Sequence, residues 1–213
     1  MSFWCSETIK RHLSRIIELP GKDVDPNDVK EAAYELSLGP EGYISGGERK
    51  VMLDNDGMVA IAPGEIAVLI TEEIVNVDKD TIAFISLKSN VKIRGLVNVS
   101  GFHVDPGFKG RLIFTVYNAG TRTCAFTRGQ KMFLIWFARL DGCEHQDHKG
   151  KRQNELHILG DDITQLTGEL ASPAKLDRRI KQLELWVKVY GAVVLAFVIA
   201  VGALFIREGF GSG

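Results

Sequence analysis

Between Ala32 and Leu140 the chain holds no long helical pattern; short runs rich in β-branched and aromatic residues alternate with turns. That spacing argues an all-β sandwich or barrel. Tyr34 to Leu38 alternates until Gly39-Pro40, which predicts a break there. Val51–Leu53 and Val59–Ile61 flank Asn55-Asp56-Gly57, a hairpin signal. Ala67 to Glu72 follows the Pro63-Gly64 turn, and Ile82 to Leu87 leads into Lys88. At the centre of the pattern stands Val104-Asp105-Pro106-Gly107-Phe108-Lys109-Gly110. Pro106 presets φ for a turn and Gly107 can take a positive φ, so Asp105 falls at a strand end. A carboxylate held there can grip a water or a sugar hydroxyl, or it can simply start the turn. Arg111 to Tyr117 returns as the next strand.

The flanks have a different character. Ile9, Leu13, Ile16 and Ile17 form one apolar face, predicting a short core-covering helix from Ser6 to Glu18, with Ser6 as N-cap and Pro20 as its end. Residues 21–31 are polar with Gly and Pro, hence a loop. Near the other end, Val189 to Ile206 is 18 residues without a charge. As a helix it spans about 27 Å, close to the hydrocarbon thickness. Trp186 and Tyr190 suit the interface, and Lys175, Arg178, Arg179, Lys181 and Lys188 precede the run, whereas only Arg207 follows. The positive-inside bias predicts a single-pass C-terminal anchor with the large domain in the cytoplasm. Ala192, Ala196 and Ala200 give the span a face of small residues. Leu176, Ile180, Leu183 and Val187 suit a short helix packed on partner helices.

Charge is balanced, 26 basic against 27 acidic residues, so no electrostatic case for nucleic acid arises. Cys5, Cys124 and Cys143 are odd in number, which suggests reduced thiols in a cytosolic setting. Cys143, His145 and His148 lack the paired spacing that gives rigid metal coordination, so no protein metal site is expected. Asn98-Val99-Ser100 matches a glycosylation sequon that a cytosolic domain never presents to the machinery. The expected organisation is a β domain over 1–142, a polar linker over 143–172, a juxtamembrane helix over 173–188, a transmembrane helix over 189–206 and a short tail over 207–213.

Several segments in order carry a further signal: Ala32-Ala33-Tyr34-Glu35-Leu36-Ser37-Leu38-Gly39, Ala62-Pro63-Gly64-Glu65, Lys88-Ser89-Asn90, the Asp105 turn, Tyr117-Asn118 and Arg128-Gly129-Gln130. Together they resemble the dCTP deaminase and trimeric dUTPase superfamily, nearer its deaminase branch, over roughly residues 6–140. The resemblance implies a mainly β, dUTPase-like distorted jelly-roll of β-clip type. It also implies a homotrimer, with sites for a pyrimidine deoxynucleoside triphosphate of the dCTP or dUTP class shared between subunits and Mg²⁺ arriving with the triphosphate. Such a trimer would bring three stalk helices together.

The resemblance assigns residues one by one. Lys88, Ser89 and Asn90 take the place of the family's Arg-Ser-Ser phosphate loop, with Lys88 a point charge lacking the guanidinium fork. Asp105 matches the Asp that lies near the sugar and, in dUTPases, orients the attacking water; it is the catalytic candidate if the chain is active. His103 stands where deaminases tend to carry Arg, Glu35 and Ser37 replace the usual Asp and Arg, and Leu134 replaces the Gln of dUTPases. Tyr117 belongs to the Tyr-Asn strand end. Aligning that pair puts Thr115 where deaminases keep the Glu that moves protons at the ring, and a Thr hydroxyl is far too weak a base for that work. No Glu occurs between Leu87 and Leu140. The zinc-dependent deaminase signature is absent too. The expectation is therefore a membrane-anchored, catalytically impaired nucleotide binder. An active dCTP deaminase or dUTP pyrophosphatase and a ligand-free trimeric scaffold are the alternatives.

Overall fold

The computed structural model describes residues 2–45, 50–142, 150, 152–164 and 173–210; beyond Arg178 its side chains are described for 179–196 and 199. By contacts the chain divides into two units, Met1–Leu170 and Ala171–Gly213.

The first unit is built on antiparallel strands: β1 (Ser2–Phe3), β2 (Ile17–Glu18), β3 (Val29–Lys30), β4 (Ala33–Ile44), β5 (Val51–Met52), β6 (Met58–Ile61), β7 (Ile66–Asn76), β8 (Thr81–Leu87), β9 (Leu96–Asn98), β10 (His103–Val104), β11 (Lys109–Asn118), β12 (Cys124–Thr127) and β13 (Lys131–Arg139). The main path runs β10-β8-β13-β4-β7-β11-β9. β1 adds to β13, β2 to β7, and β3 and β5 to β4, while β6 and β12 make a separate pair. The inward residues of these strands form one apolar core, where the Phe114 and Phe133 rings stack 4.0 Å apart. The expected all-β architecture is therefore present.

Helix α1 (Ser6–Ile16) covers one side of the core with Ile9, Leu13 and Ile16 buried. Its N-cap is Cys5 rather than Ser6; the Ser6 hydroxyl instead accepts from the Ala32 N–H at 3.0 Å. The helix stops before the expected Glu18, because Ile17 is extended and Ile17–Glu18 pair with β7.

Two expectations are corrected. Strand β4 does not break at Gly39-Pro40 but continues to Ile44, with a shift of register against β7 between Leu38 and Gly42. The shift absorbs the donor that Pro40 lacks. Gly39 is needed there, since a Cβ would lie 2.4 Å from the Thr71 carbonyl oxygen. The Asn55-Asp56-Gly57 turn forms, with the Gly57 N–H on the Asp54 carbonyl at 2.8 Å, yet its flanks do not pair. β5 joins β4, and β6 joins β12, far away in sequence.

Of the second unit, the described residues form helix α3 (Pro173–Phe210). Ile180, Leu183, Trp186, Val187, Val189, Tyr190, Val193, Val194, Leu195 and Ile199 are exposed on it, and the Trp186 and Tyr190 rings stack. Among the described residues no helix is long and apolar enough to cross a membrane. The expected span Val189–Ile206 lies in part, over 197–198 and 200–206, outside the residues whose side chains are described.

Candidate functional site

The Asp105 turn forms as the residue types dictate. The Phe108 N–H reaches the Asp105 carbonyl at 3.2 Å, and Gly107 has φ 77°. This holds Asp105 at the end of β10 and starts β11. Along β11, Gly110, Leu112, Phe114, Val116 and Asn118 point inward. Arg111, Ile113, Thr115 and Tyr117 share the other face, as a two-residue period requires.

That face opens onto a cavity of about 440 Å³. Among the described residues Ser100, His103, Asp105, Arg111, Thr115 and Arg152 supply its polar side chains, with Ile85, Val104, Phe108, Leu112 and Ile113 as apolar wall. His103 Nε2 lies 3.3 Å from Asp105 Oδ1, and both side chains are about half exposed. Among the described residues no Glu lines it. A ligand here would meet an acceptor carboxylate, an imidazole and guanidinium donors, but no carboxylate at the Thr115 position.

A second charged group lies at the other end of the expected site. Lys88 donates to Glu35 Oε1, and Lys30 Nζ stands 3.8 Å from the other oxygen of the same carboxylate. Next to it Lys131 Nζ binds Asp28 Oδ2 at 2.6 Å, the Glu35 carbonyl at 2.9 Å and Glu73 Oε1 at 3.3 Å. Glu73 is fully buried and also accepts from the Ser37 N–H at 2.8 Å and the Ser37 hydroxyl at 2.6 Å. Burial pushes its carboxyl above the ordinary range, against the pull of Lys131 and Ser37. Ser37, where the family resemblance expects Arg, is thus a partner of Glu73.

Part of the expected linker forms a strap against the β domain. The Asn154 N–H reaches the Lys109 carbonyl at 2.7 Å, and the Arg111 N–H reaches the Glu155 carbonyl at 3.0 Å. Gln153 binds the Lys109 N–H and the Gly107 carbonyl, both at 3.0 Å. Gly110, at φ 154°, permits this approach: a Cβ there would lie 3.0 Å from the Glu155 carbonyl oxygen and 3.3 Å from that of Arg152. Further on, Ile158 is buried with Tyr43, Val68 and Ile70. Its N–H donates to Glu41 Oε2 at 3.0 Å, and His157 Nδ1 pairs with Glu41 Oε1. Burial raises the Glu41 carboxyl, but His157, the Ile158 N–H and Lys50 together hold it below its ordinary value.

The structure thus brings His103, Asp105 and Thr115 together and leaves Lys88, Ser89, Asn90 and Tyr117 off the cavity wall. Ser89 and Asn90 are exposed and open the short helix α2 (Ser89–Lys92). Tyr117 pairs across to Ile66 and Val97. Its neighbour Asn118 is structural, its amide donating to the Ile61 and Arg122 carbonyls and its oxygen accepting from Gly120. Cys143, His145 and His148 lie outside the described residues. Among the described residues no group of three or more His, Cys, Asp or Glu is placed to hold a metal ion. Sequence reasoning missed Arg111 and Arg152. Arg111 could have been found from strand alternation, since it sits four residues before Thr115 on the same face; Arg152 had no such signal.

A family model described as dCTP deaminase-like matches residues 5–140. The chain belongs to the dCTP deaminase-like family. Curated dCTP deaminases resemble it, among them that of Pyrococcus furiosus at 26% identity over 130 residues, covering 61% of this chain and 81% of the relative. The dCTP deaminase of Thermococcus kodakarensis is 28% identical over 131 residues, covering 61% and 82%. That of Photorhabdus laumondii is 30% identical over 134 residues, covering 57% and 69%. Among solved structures, the 2'-deoxycytidine 5'-triphosphate deaminase of Agrobacterium tumefaciens matches with a TM-score of 0.57 at 16% identity, covering 66% of this chain. The matched part is 49% of that deaminase chain, about half its length. The EIAV dUTPase is a more distant neighbour, with a TM-score of 0.44, 14% identity, and 64% and 97% coverage. The mainly β fold expected from the sequence is thus shown, by the likeness to the Agrobacterium tumefaciens deaminase.

Proposed function

We propose that this chain is a membrane-anchored binder of a pyrimidine deoxynucleoside triphosphate, of the dCTP or dUTP class, in which deamination is impaired. The observation that carries the reading is the cavity wall. It keeps Asp105 at the turn, with His103 beside it, but offers Thr115 where the family resemblance expects a Glu, and among the described residues no Glu lines it. A water cannot be activated, nor a leaving amine protonated, by a neutral hydroxyl of that kind. Mg²⁺ would enter on the phosphate oxygens, in keeping with its preference for few protein ligands.

The site is completed by a second copy. Lys88, Ser89 and Asn90 belong to the phosphate loop by resemblance but do not line the cavity of their own chain, so in a homotrimer a neighbour's loop would supply Ser89 and Asn90, with Lys88, held by Glu35, only a minor charge beside them. Exposed Phe3, Ile93, Val97, Val99 and Phe102 give such an assembly apolar surface to cover. The anchor rests on the uncharged run from Val189 to Ile206 and the basic residues before it, which favour a cytoplasmic β domain. A second reading, dUTP hydrolysis, is favoured by Asp105 itself, which remains accessible at the cavity and needs no Glu nearby.

The test incubates the full chain with dCTP and with dUTP plus Mg²⁺, following both products and binding. Saturable binding without product supports the proposal. Release of dUTP from dCTP would overturn the impairment, and dUMP with pyrophosphate would favour the second reading. Neither binding nor turnover would leave a ligand-free trimeric scaffold.

A further inference from the structure

We infer that Arg111 and Arg152 form the anion-recognising end of the cavity, so that the ligand's phosphate is held by two guanidinium groups, one of them carried by the 152–158 strap. This rests on the nucleotide reading above and names the residues that would hold the charged part. Four observations support it. First, the charge the family resemblance assigns to phosphate is engaged elsewhere: Lys88 donates to Glu35 and is only 22% exposed. Second, two guanidinium groups, Arg111 and Arg152, stand among the described lining residues with Asp105, whose Oδ1 lies 3.3 Å from His103 Nε2. Third, Arg111 Nε is buried with no hydrogen-bond partner, while its Nη1 donates to the Leu156 carbonyl at 3.3 Å. That bond fixes the plane of the fork and leaves a donor for a ligand oxygen. Glu72, whose carboxyl feels the Arg111 charge, is held by Arg128 through two contacts of 2.8 Å. Fourth, the strap that brings Arg152 is bonded to Gly107 and Lys109, just after Asp105, and only a glycine at position 110 lets its carbonyls approach so closely.

A planar fork pairs with phosphate oxygens through two hydrogen bonds, which an ammonium does not do. Two such forks beside a half-exposed carboxylate fit a phosphate ester whose sugar hydroxyl meets Asp105. The neutral nucleoside lacks the group these donors require. The strap thereby becomes part of the ligand site, and ligand binding and strap docking reinforce each other.

The experiment titrates the full chain with dCTP, dUTP, deoxycytidine and inorganic tripolyphosphate, at two salt concentrations. It compares the natural chain with Arg111→Gln, Arg111→Lys, Arg152→Gln and Lys88→Ala. The expected result is a loss of triphosphate affinity of about tenfold or more in each Gln variant, from a lost charged hydrogen bond. Deoxycytidine binding should hold, the salt dependence should flatten, and Arg111→Lys should restore affinity only in part. Because Arg111 also bonds the strap, Arg152→Gln is the variant that separates recognition from docking. Unchanged triphosphate affinity in Arg152→Gln, or an equal loss for deoxycytidine and triphosphate, overturns the inference. If the natural chain binds neither nucleotide, the nucleotide reading falls, and tripolyphosphate decides the inference alone: arginine-dependent binding sustains it, and no binding ends it.

Discussion

The protein has two charged regions on one β domain, and they are arranged in opposite ways. Around Lys131, carboxylates from the turn before β3, from β4 and from β7 converge on lysines, and the buried Glu73 is held by four hydrogen bonds from Ser37 and Lys131. Around Thr115, the described charged side chains, His103, Asp105, Arg111 and Arg152, border a cavity of about 440 Å³. The first arrangement is closed on itself. The second faces open space. The comparison teaches that charge near a family motif does not by itself mark a ligand site: Lys88 stands at the motif and belongs to the closed group.

Four changes would break or sharpen this contrast. The largest effect is expected from Thr115→Glu in the open region. A positioned carboxylate acting in general acid–base catalysis contributes about 10²–10⁴-fold, so dCTP turnover followed as ammonia release should rise by a factor in that range. No rise would mean that His103 or another position also blocks the chemistry.

In the closed region, Lys131→Ala leaves the Glu73 carboxyl buried without its cation. A loss of about 3 kcal/mol is expected by analogy with broken buried ion pairs, read as a lower denaturation midpoint with ligand binding little changed in the material that folds. The pH dependence has a defined sign. The Glu73 pKa is raised in the folded state, so its contribution is full below the ordinary carboxyl value of 4.5 and declines as pH rises through the folded value. In Lys131→Ala that decline should be steeper, and the denaturation midpoint measured against pH would show it. Glu41 runs the other way: its contribution is present above 4.5 and fades as pH falls through its lowered value.

Gly110→Ala tests the boundary of the open region. The added methyl meets the strap's carbonyls in a backbone conformation that favours glycine, so residues 152–158 should exchange amide hydrogens faster while the β4–β13 ladder keeps its protection. Equal exchange across both would show that the strap is not a separate unit. The smallest effect belongs to Lys88→Ala, which should weaken triphosphate binding by about two- to threefold, a surface-charge effect, measured by titration. A loss as large as that of the arginine variants would return the principal phosphate contact to the Lys88 loop.

Much of the fold was legible because its signals are local. The Asp105 turn needed only Pro106 and Gly107, and the face of α1 needed only Ile9, Leu13 and Ile16. The pairing of β6 with β12 was not legible, since it joins segments more than sixty residues apart and the turn at Asn55-Asp56-Gly57 suggested a nearer partner. Pro40 suggested an end to β4, but a register shift absorbed it. At the site, His103, Asp105 and Thr115 were found because motif order placed them. The strap escaped notice because it is held mainly by backbone carbonyls and amides, which leave no pattern in residue type; Ile158 is its one fully buried apolar side chain.

The ends of the sheet path have a consequence for how copies of this chain can meet. On one side the path finishes with β10, two residues long, and on the other with β9, three residues long. So short an edge gives an incoming strand almost no ladder to extend, which discourages fibre-like growth through backbone pairing. Beside β10 the rings of Phe3, Phe84 and Phe102 follow one another at 5.6 and 6.4 Å. Self-association is thereby directed away from the indiscriminate chemistry of the peptide group and toward side-chain faces, where shape decides how many copies join and when the assembly stops.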